Sequence, residues 1–318
     1  MTVEPCKVFS MPAKEENGKV WMDGTLVDFA QANVSIMTHA LHYGTGVFEG
    51  IRCYKTSKGP AIFRLDEHLA RLERGSKFYW MELPFSRAEL AEATKETVRA
   101  NRHIDEPYLR PLVYRGAGPI GVNPMSAPVR VAIIAVNMGK YFDPKTAELG
   151  IKCEFSNWLR ISKDTIPPHV KACGQYINSV LAKVEAVQNG YHEAIMLNNR
   201  GRVAEGSGEN IFMAKGGEIS TPLVSEDILE GITRESVMEI ARDLGLKVFE
   251  RTLEKDDLLS ADEVFMTGTA AEVTPVTNIG GRTLSGGRRG PITEKLQEKF
   301  FQAARGMDEK YAKWLTFV

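Results

Sequence analysis

Lys171 is the residue of this 318-residue sequence best placed for covalent chemistry. It lies in Pro167-Pro168-His169-Val170-Lys171-Ala172-Cys173-Gly174-Gln175-Tyr176, bracketed by two prolines and a glycine. That bracketing predicts a short extended piece just ahead of a helix. Further on, Val203-Ala204-Glu205-Gly206-Ser207-Gly208-Glu209-Asn210 returns two carboxylates on a glycine-rich turn. A desolvated lysine amine attacks aldehydes to give Schiff bases. Taken alone, Lys171 reads more readily as a solvated surface amine, and both glutamates as ordinary loop carboxylates.

Other short stretches suit anions. Gly231-Ile232-Thr233-Arg234 opens a predicted helix and offers amides, a hydroxyl and the positive end of a helix dipole; Thr233 as an ordinary N-cap fits equally well. Thr267-Gly268-Thr269-Ala270-Ala271-Glu272 leaves a strand through small residues whose amides could hold another anion, or it is a plain turn. Tyr108 and Arg110 alternate along a strand, so both point to one face, and a phenol beside a guanidinium suits a carboxylate. A polar outer face is the blander alternative. Arg71 follows Glu67 by one helical turn and could form a simple surface pair with it.

The elements that must position these groups follow from periodicity. Val20 to Val27 reads as a hairpin about Asp23-Gly24. Strands are expected at Ala61 to Arg64, Tyr108 to Tyr114 and Val129 to Val136, with helices from Leu65 and from Ser86 to Ala100. Beyond Met138 to Pro144, strands alternate with helices over Gln175 to Gln188, Thr233 to Leu244 and Thr293 to Arg305. The first of these helices carries Tyr176, Ile177, Val180, Leu181 and Val184 on one face. The order is not strictly βαβ, which points to a mixed α/β (α+β) fold rather than a Rossmann fold. The expected domains are residues 1–136, a linker at 137–146, and 147–318.

Composition narrows the class of function. A formal net charge of −1 gives no field favouring nucleic acid or an anionic membrane. No apolar run reaches spanning length, and Met1 to Lys7 lacks the apolar core of a signal peptide, so the cytoplasm is the expected compartment. Cys6, Cys53, Cys153 and Cys173 are scattered without metal-site spacing, and His39 and His42 lack an acidic third ligand, so no metal is expected.

Read together, the pieces resemble the fold-type IV pyridoxal phosphate aminotransferases, and among them the branched-chain amino acid aminotransferases. The resemblance is carried by His42-Tyr43-Gly44, Val47-Phe48-Glu49-Gly50-Ile51-Arg52, Tyr108-Leu109-Arg110-Pro111-Leu112 and Gly121-Val122-Asn123-Pro124. It continues through Lys171-Ala172-Cys173-Gly174, Glu205 to Asn210, Gly231 to Arg234 and Gly268 to Glu272, in family order from about residue 18 to 300.

The resemblance implies a small N-terminal α/β domain and a larger C-terminal domain with a pseudo-barrel, binding pyridoxal 5'-phosphate. Lys171 would hold the cofactor as a Schiff base and shuttle the proton of the substrate α-carbon. Glu205 would face the pyridine nitrogen, and Tyr176 the ring's phenolic oxygen. Arg71, Ile232, Thr233 and Thr269 would hold the phosphate. Tyr108, Arg110 and the amides of Thr269 and Ala270 would bind substrate carboxylates, with Arg110 taking the distal one of glutamate. Tyr43, Phe48, Val122 and Tyr141 would line the side-chain pocket, Tyr43 and Val122 arriving from a neighbouring subunit of a homodimer. The implied reaction moves the amino group of L-leucine, L-isoleucine or L-valine to 2-oxoglutarate by a ping-pong route. The sister activities are D-amino acid or amine transamination and aminodeoxychorismate lysis. Met138 stands where a tryptophan is familiar in bacterial relatives, and Glu230 where a proline is common, so pocket shape and loop stiffness depart from the pattern.

Overall fold

The computed structural model describes residues 18–139, 141–143 and 145–318. The N-terminal stretch with Cys6, and Lys140 and Pro144 of the expected linker, lie outside the described residues. Two compact units divide the chain. One holds residues 18–139 with Val170–Gln175 and Ala303–Val318; the other holds Tyr176–Gln302 and the described residues between 141 and 169.

The first unit is built on an eight-stranded sheet paired antiparallel throughout. Asp23 and Gly24, at φ 47° and 101°, make the tight turn between Lys19–Met22 and Thr25–Asp28 that their types predict. Tyr108–Arg115 and Val129–Val136 form the central pair, in register from Tyr108↔Val136 to Arg115↔Val129. Alternation turns Leu109 and Val113 inward, where they meet Leu65, Leu69 and Leu72 of helix Leu65–Phe78 and Leu90 and Val98 of helix Arg87–Ala100. Ser86 and Glu89 close a reciprocal capping box that starts the second helix.

Two stretches that the sequence assigns to the C-terminal domain cluster here instead. Strand Leu315–Phe317 pairs antiparallel with Gly59–Phe63. Ala172 bridges to Val47, and the Phe48 amide donates to the Lys171 carbonyl at 3.0 Å. Backbone pairing, which sequence periodicity does not reveal, thus seats Lys171 in the N-terminal unit.

The second unit carries a nine-stranded mixed sheet, in which Ile151–Phe155 runs parallel to both Glu193–Leu197 and Glu272–Ile279. Its core gathers Ile151, Ile195, Ile211, Met213, Val264, Met266 and Val276. Helix Tyr176–Gln188 turns Ala182 and Ala186 inward against Ala194 and Met196. Its apolar face of Ile177, Val180, Leu181 and Val184 is exposed. Small residues, rather than the bulky stripe, therefore pack this helix on its sheet. Among the described residues no helix is long and apolar enough to cross a membrane.

Candidate active site

In the N-terminal unit, Lys171 sits half-buried between buried Val170 and Ala172 on an extended piece before the 3₁₀ turn Cys173–Gln175. Glycines fix that piece. A Cβ on Gly44, which has φ 66°, would stand 2.6 Å from the Gly174 Cα, and the Gly174 amide donates to the Gly44 carbonyl at 3.1 Å. The Lys171 ammonium lies 5.0 Å from the centroid of the Phe48 ring. The Arg110 guanidinium lies 4.6 Å from the same ring and 5.3 Å from that of Tyr108. Arg110 Nη2 donates to the Tyr108 hydroxyl at 3.1 Å, while Arg110 Nε is buried without a hydrogen-bond partner. Strand alternation thus delivers the one-sided phenol–guanidinium pair that the spacing predicts, with Tyr108 buried and Arg110 half-buried against aromatic rings rather than on a solvated face.

Arg71 is buried, so it is not part of a surface pair; Glu67 accepts from Arg64 at 2.7 Å. Arg71 donates through Nε and Nη2 to the two carboxylate oxygens of Glu49, at 2.7 and 2.8 Å. His68 Nδ1 lies 2.7 Å from Glu49 Oε2. Burial alone would push the Glu49 carboxyl up, but the charge and hydrogen bonds of Arg71, with the hydrogen bond of His68, hold it far below the usual carboxylate range. Burial keeps His68 neutral by lowering its pKa, so Nδ1 carries the proton donated to Glu49.

Tyr43 and Val122 are exposed, at 39% and 84%. Tyr43 packs 4.5 Å from the His39 ring, whose nitrogens bond Thr45 Oγ1 and the Gly121 carbonyl. Exposed Ile36, Met37, Leu41, Ile120 and Met125 flank them in sequence. Met138 is half-buried beyond the end of Val129–Val136.

The C-terminal unit holds the remaining expected residues. Glu205 is buried, with Oε1 2.8 Å from Arg160 Nε in an ion pair. Its Oε2 accepts from Asn210 Nδ2 at 2.9 Å and from the Leu229 amide at 3.1 Å. Asn210 also donates to the Leu229 carbonyl, tying the glutamate turn to the loop that leads into helix Ile232–Asp243. A Cβ on Gly231 would stand 1.9 Å from Asn210 Oδ1, so that position requires glycine. Gly231, not Thr233, is the N-cap, and no side chain caps this end; Ile232 and Thr233 follow as its first buried residues. Thr269 and Ala270 lie half-buried in the turn after strand Glu263–Gly268, and buried Thr267 Oγ1 has no hydrogen-bond partner. Tyr141 and Ala270 line one cavity of about 70 Å³. Tyr176 is the first residue of its helix.

Each unit carries groups of the kind a phosphorylated pyridine aldehyde needs. The N-terminal unit offers an amine and a guanidinium; the C-terminal unit, taken by itself, offers a helix start without a side-chain cap, small-residue turns and a carboxylate paired with an arginine. Four contributors escaped the sequence reading: Glu49, His68, Arg160 and Asn210. Glu49 and Asn210 stood inside motifs already singled out, and His68 lies one turn before Arg71. Nothing in the sequence around Arg160 marked it.

Residues 46–279 match the family described as Amino-transferase class IV. The chain is 43% identical over 308 residues to the branched-chain-amino-acid aminotransferase of Pseudomonas aeruginosa, covering 97% of this chain and 100% of that protein. The structure superposes on the T.th. branched-chain amino acid aminotransferase with pyridoxamine 5'-phosphate at TM-score 0.91 and 46% identity, covering 95% and 98% of the two chains. The same enzyme complexed with N-(5'-phosphopyridoxyl)-L-glutamate gives TM-score 0.89 and 45% identity, with coverage of 95% and 98%. This chain belongs to the class IV amino-transferases, in the group of the branched-chain-amino-acid aminotransferases.

Proposed function

We propose that this protein transfers the amino group of L-leucine, L-isoleucine or L-valine to 2-oxoglutarate in two half-reactions, with pyridoxal 5'-phosphate bound through Lys171. The observation that carries the reading is Arg110, held over Phe48 and Tyr108 with its Nε buried and unpartnered. Aromatic walls suit a branched side chain, and a fixed cation among them suits the distal carboxylate of glutamate. The relative solved with a phosphopyridoxyl-glutamate supports an acidic co-substrate.

Bound pyridoxal phosphate supplies an electron-withdrawing ring that spreads the charge left when an α-proton departs. The Lys171 amine takes that proton as base and returns one as acid. Glu205, paired with Arg160, would hold the proton on the ring nitrogen, and Tyr176 would donate to the ring's oxygen. Arg71, held by Glu49, serves the phosphate with Ile232, Thr233 and Thr269. Tyr108 and the Ala270 amide orient substrate carboxylate. Phe48, Met138 and Tyr141 wall the side-chain pocket.

A second copy completes the site in this reading. The exposed apolar patch around Tyr43 and Val122 suits burial against a partner, and these two side chains would reach the neighbour's pocket in a homodimer.

The test is a single-turnover spectrum with L-leucine, D-alanine and a simple amine in turn, followed by 2-oxoglutarate. Conversion to the pyridoxamine form by L-leucine, reversed by 2-oxoglutarate, is expected. Conversion by D-alanine or the amine alone would move the protein to a sister activity. Lys171→Ala should abolish both turnover and the lysine-bound cofactor absorbance.

A further inference from the structure

Helix Pro291–Ala304 of the C-terminal unit carries no residue that the proposed reaction uses, yet one of its side chains lines the cavity shared by Tyr141 and Ala270. That residue, Gln297, is 5% exposed. Its Nε2 donates to the Val273 carbonyl at 2.9 Å and to the Ala147 carbonyl at 3.3 Å. Its Oε1 accepts from Arg289 Nη1 at 2.7 Å. A carboxamide has two N–H donors and one carbonyl acceptor, and all are engaged here. The two carbonyls fix its orientation, since only the nitrogen end can face them.

Each of those carbonyls belongs to a segment that carries a pocket residue. Val273 directly follows the turn Thr269-Ala270-Ala271-Glu272. Thr274 Oγ1 closes that turn on the Ala271 carbonyl at 2.6 Å. The neighbouring strand Ile151–Phe155 pairs with Glu272–Ile279 from Val276 onward, so Gln297 supplies the donor that Val273 would otherwise lack. Ala147 belongs to the short helix Thr146–Leu149. The Asp143 carbonyl accepts from the Thr146 amide at 2.8 Å and from Thr146 Oγ1 at 2.6 Å, which joins the Tyr141 stretch to this helix. A helix so short leaves its last carbonyls without internal partners. Gln297 serves Ala147, the Arg289 amide serves Glu148 at 2.9 Å, and Thr277 Oγ1 serves Leu149 at 2.8 Å.

The helix that bears Gln297 is itself seated on the same turn. Glu263 Oε1 accepts from the Ile292 amide at 3.0 Å, and Oε2 from the Thr293 amide and hydroxyl at 2.8 and 2.7 Å. Glu263 begins the strand Glu263–Gly268 that runs into the turn. A Cβ on Gly290 would stand 2.1 Å from Glu263 Cδ, so this seat requires glycine there. Helix Pro291–Ala304 thus holds the strand entering the turn through Glu263 and the strand leaving it through Gln297.

We propose that Gln297 is a positioning residue for the substrate. Its carboxamide sets the separation between the segment of Tyr141 and the turn of Ala270, and so the fit of substrate carboxylate and side chain between them. That Tyr141 and Ala270 meet the substrate rests on the function proposed above; the amide bridge does not.

Gln297→Met tests this in the holoenzyme, because it keeps the length of the side chain and removes both donors. KM for leucine and for 2-oxoglutarate should each rise about tenfold, as loss of about one hydrogen bond requires. The kcat should stay within about threefold, and cofactor absorbance and retention should match wild type. Gln297→Glu keeps the acceptor facing Arg289 but loses the donors, so it should show the same split if the methionine variant proves unstable. Thr277→Val cuts the tie between the same strand and helix that lies farther from the turn, and should leave KM within about twofold. Hydrogen exchange of the substrate-free holoenzyme should quicken in Gln297→Met at residues 146–149 and 269–273 together, with strand Glu193–Leu197 unchanged. Exchange needs no turnover, so that result in an enzyme that ignores leucine would fault the substrate named above and not the bridge. Unchanged KM values, a fall in kcat without a rise in KM, unchanged exchange at the two segments, or an equal rise in KM in Thr277→Val would each overturn the proposal.

Discussion

Arg71 and Glu49 form a buried bidentate pair, Nε to Oε1 at 2.7 Å and Nη2 to Oε2 at 2.8 Å, with Glu49 completely inaccessible. An arginine so gripped has two of its donors fixed in direction, which aims the rest of the guanidinium. Glu49→Gln should cost about 3–5 kcal/mol of stability, because it leaves a buried cation without its counter-ion. The sign with pH follows from the depressed Glu49 pKa: the contribution is fully present above the ordinary carboxylate pKa and is lost as acid is added. His68, kept neutral by burial, adds an acid penalty below its ordinary value. Denaturant unfolding of wild type and variant at neutral pH and in acid checks this; the gap between them should narrow in acid.

Gly50 makes room for the Tyr108 phenol. A Cβ there would stand 1.9 Å from the Tyr108 hydroxyl, and backbone cannot yield that distance cheaply. Gly50→Ala should displace the hydroxyl from Arg110 and lower kcat/KM for leucine and for glutamate by about 100-fold, as misplaced positioning groups do. Steady-state kinetics with both substrates checks it. Unchanged values would show that the Tyr108–Arg110 bond is not used.

The sequence made some of this arrangement legible for definite reasons. Period-two alternation put Tyr108 and Arg110 on one face, and Asp23-Gly24 marked its hairpin. Apolar periodicity found the helices but not the orientation of Tyr176–Gln188, where Ala182 and Ala186 are buried and the bulkier stripe is exposed. Glu49 and Arg160 stayed hidden as partners because each acts across a long sequence separation, on Arg71 and Glu205, and ion pairing leaves no periodic trace. The same limit hid the unit to which Lys171 belongs: a single bridge, Val47↔Ala172, ties its stretch to the N-terminal sheet.

On the function proposed above, Arg110→Ala should separate the two half-reactions. Its guanidinium is held over Phe48 and Tyr108, where it can meet a second carboxylate that leucine lacks. The variant should lose about 100-fold or more in the rate with 2-oxoglutarate, in keeping with the loss of a charge-assisted contact worth about 2–3 kcal/mol, and distinctly less with leucine. Stopped-flow spectra of each half-reaction measure the two rates apart. Equal losses would mean that Arg110 serves the carboxylate common to both substrates.

Val122 distinguishes a site complete in one chain from one shared by two. At 84% exposure its side chain contributes little to the fold of the unit that carries it, so Val122→Asp should leave melting of an isolated subunit near wild type. A buried aspartate in a subunit interface is costly, so if the proposed homodimer forms through this patch the variant should sediment as a monomer at concentrations where wild type associates. If Tyr43 and Val122 complete the neighbour's pocket, dissociation and loss of leucine turnover should follow the same concentration dependence. A monomer with full turnover would place both residues outside the site. A dimer with impaired turnover would keep Val122 in the pocket and move the interface elsewhere.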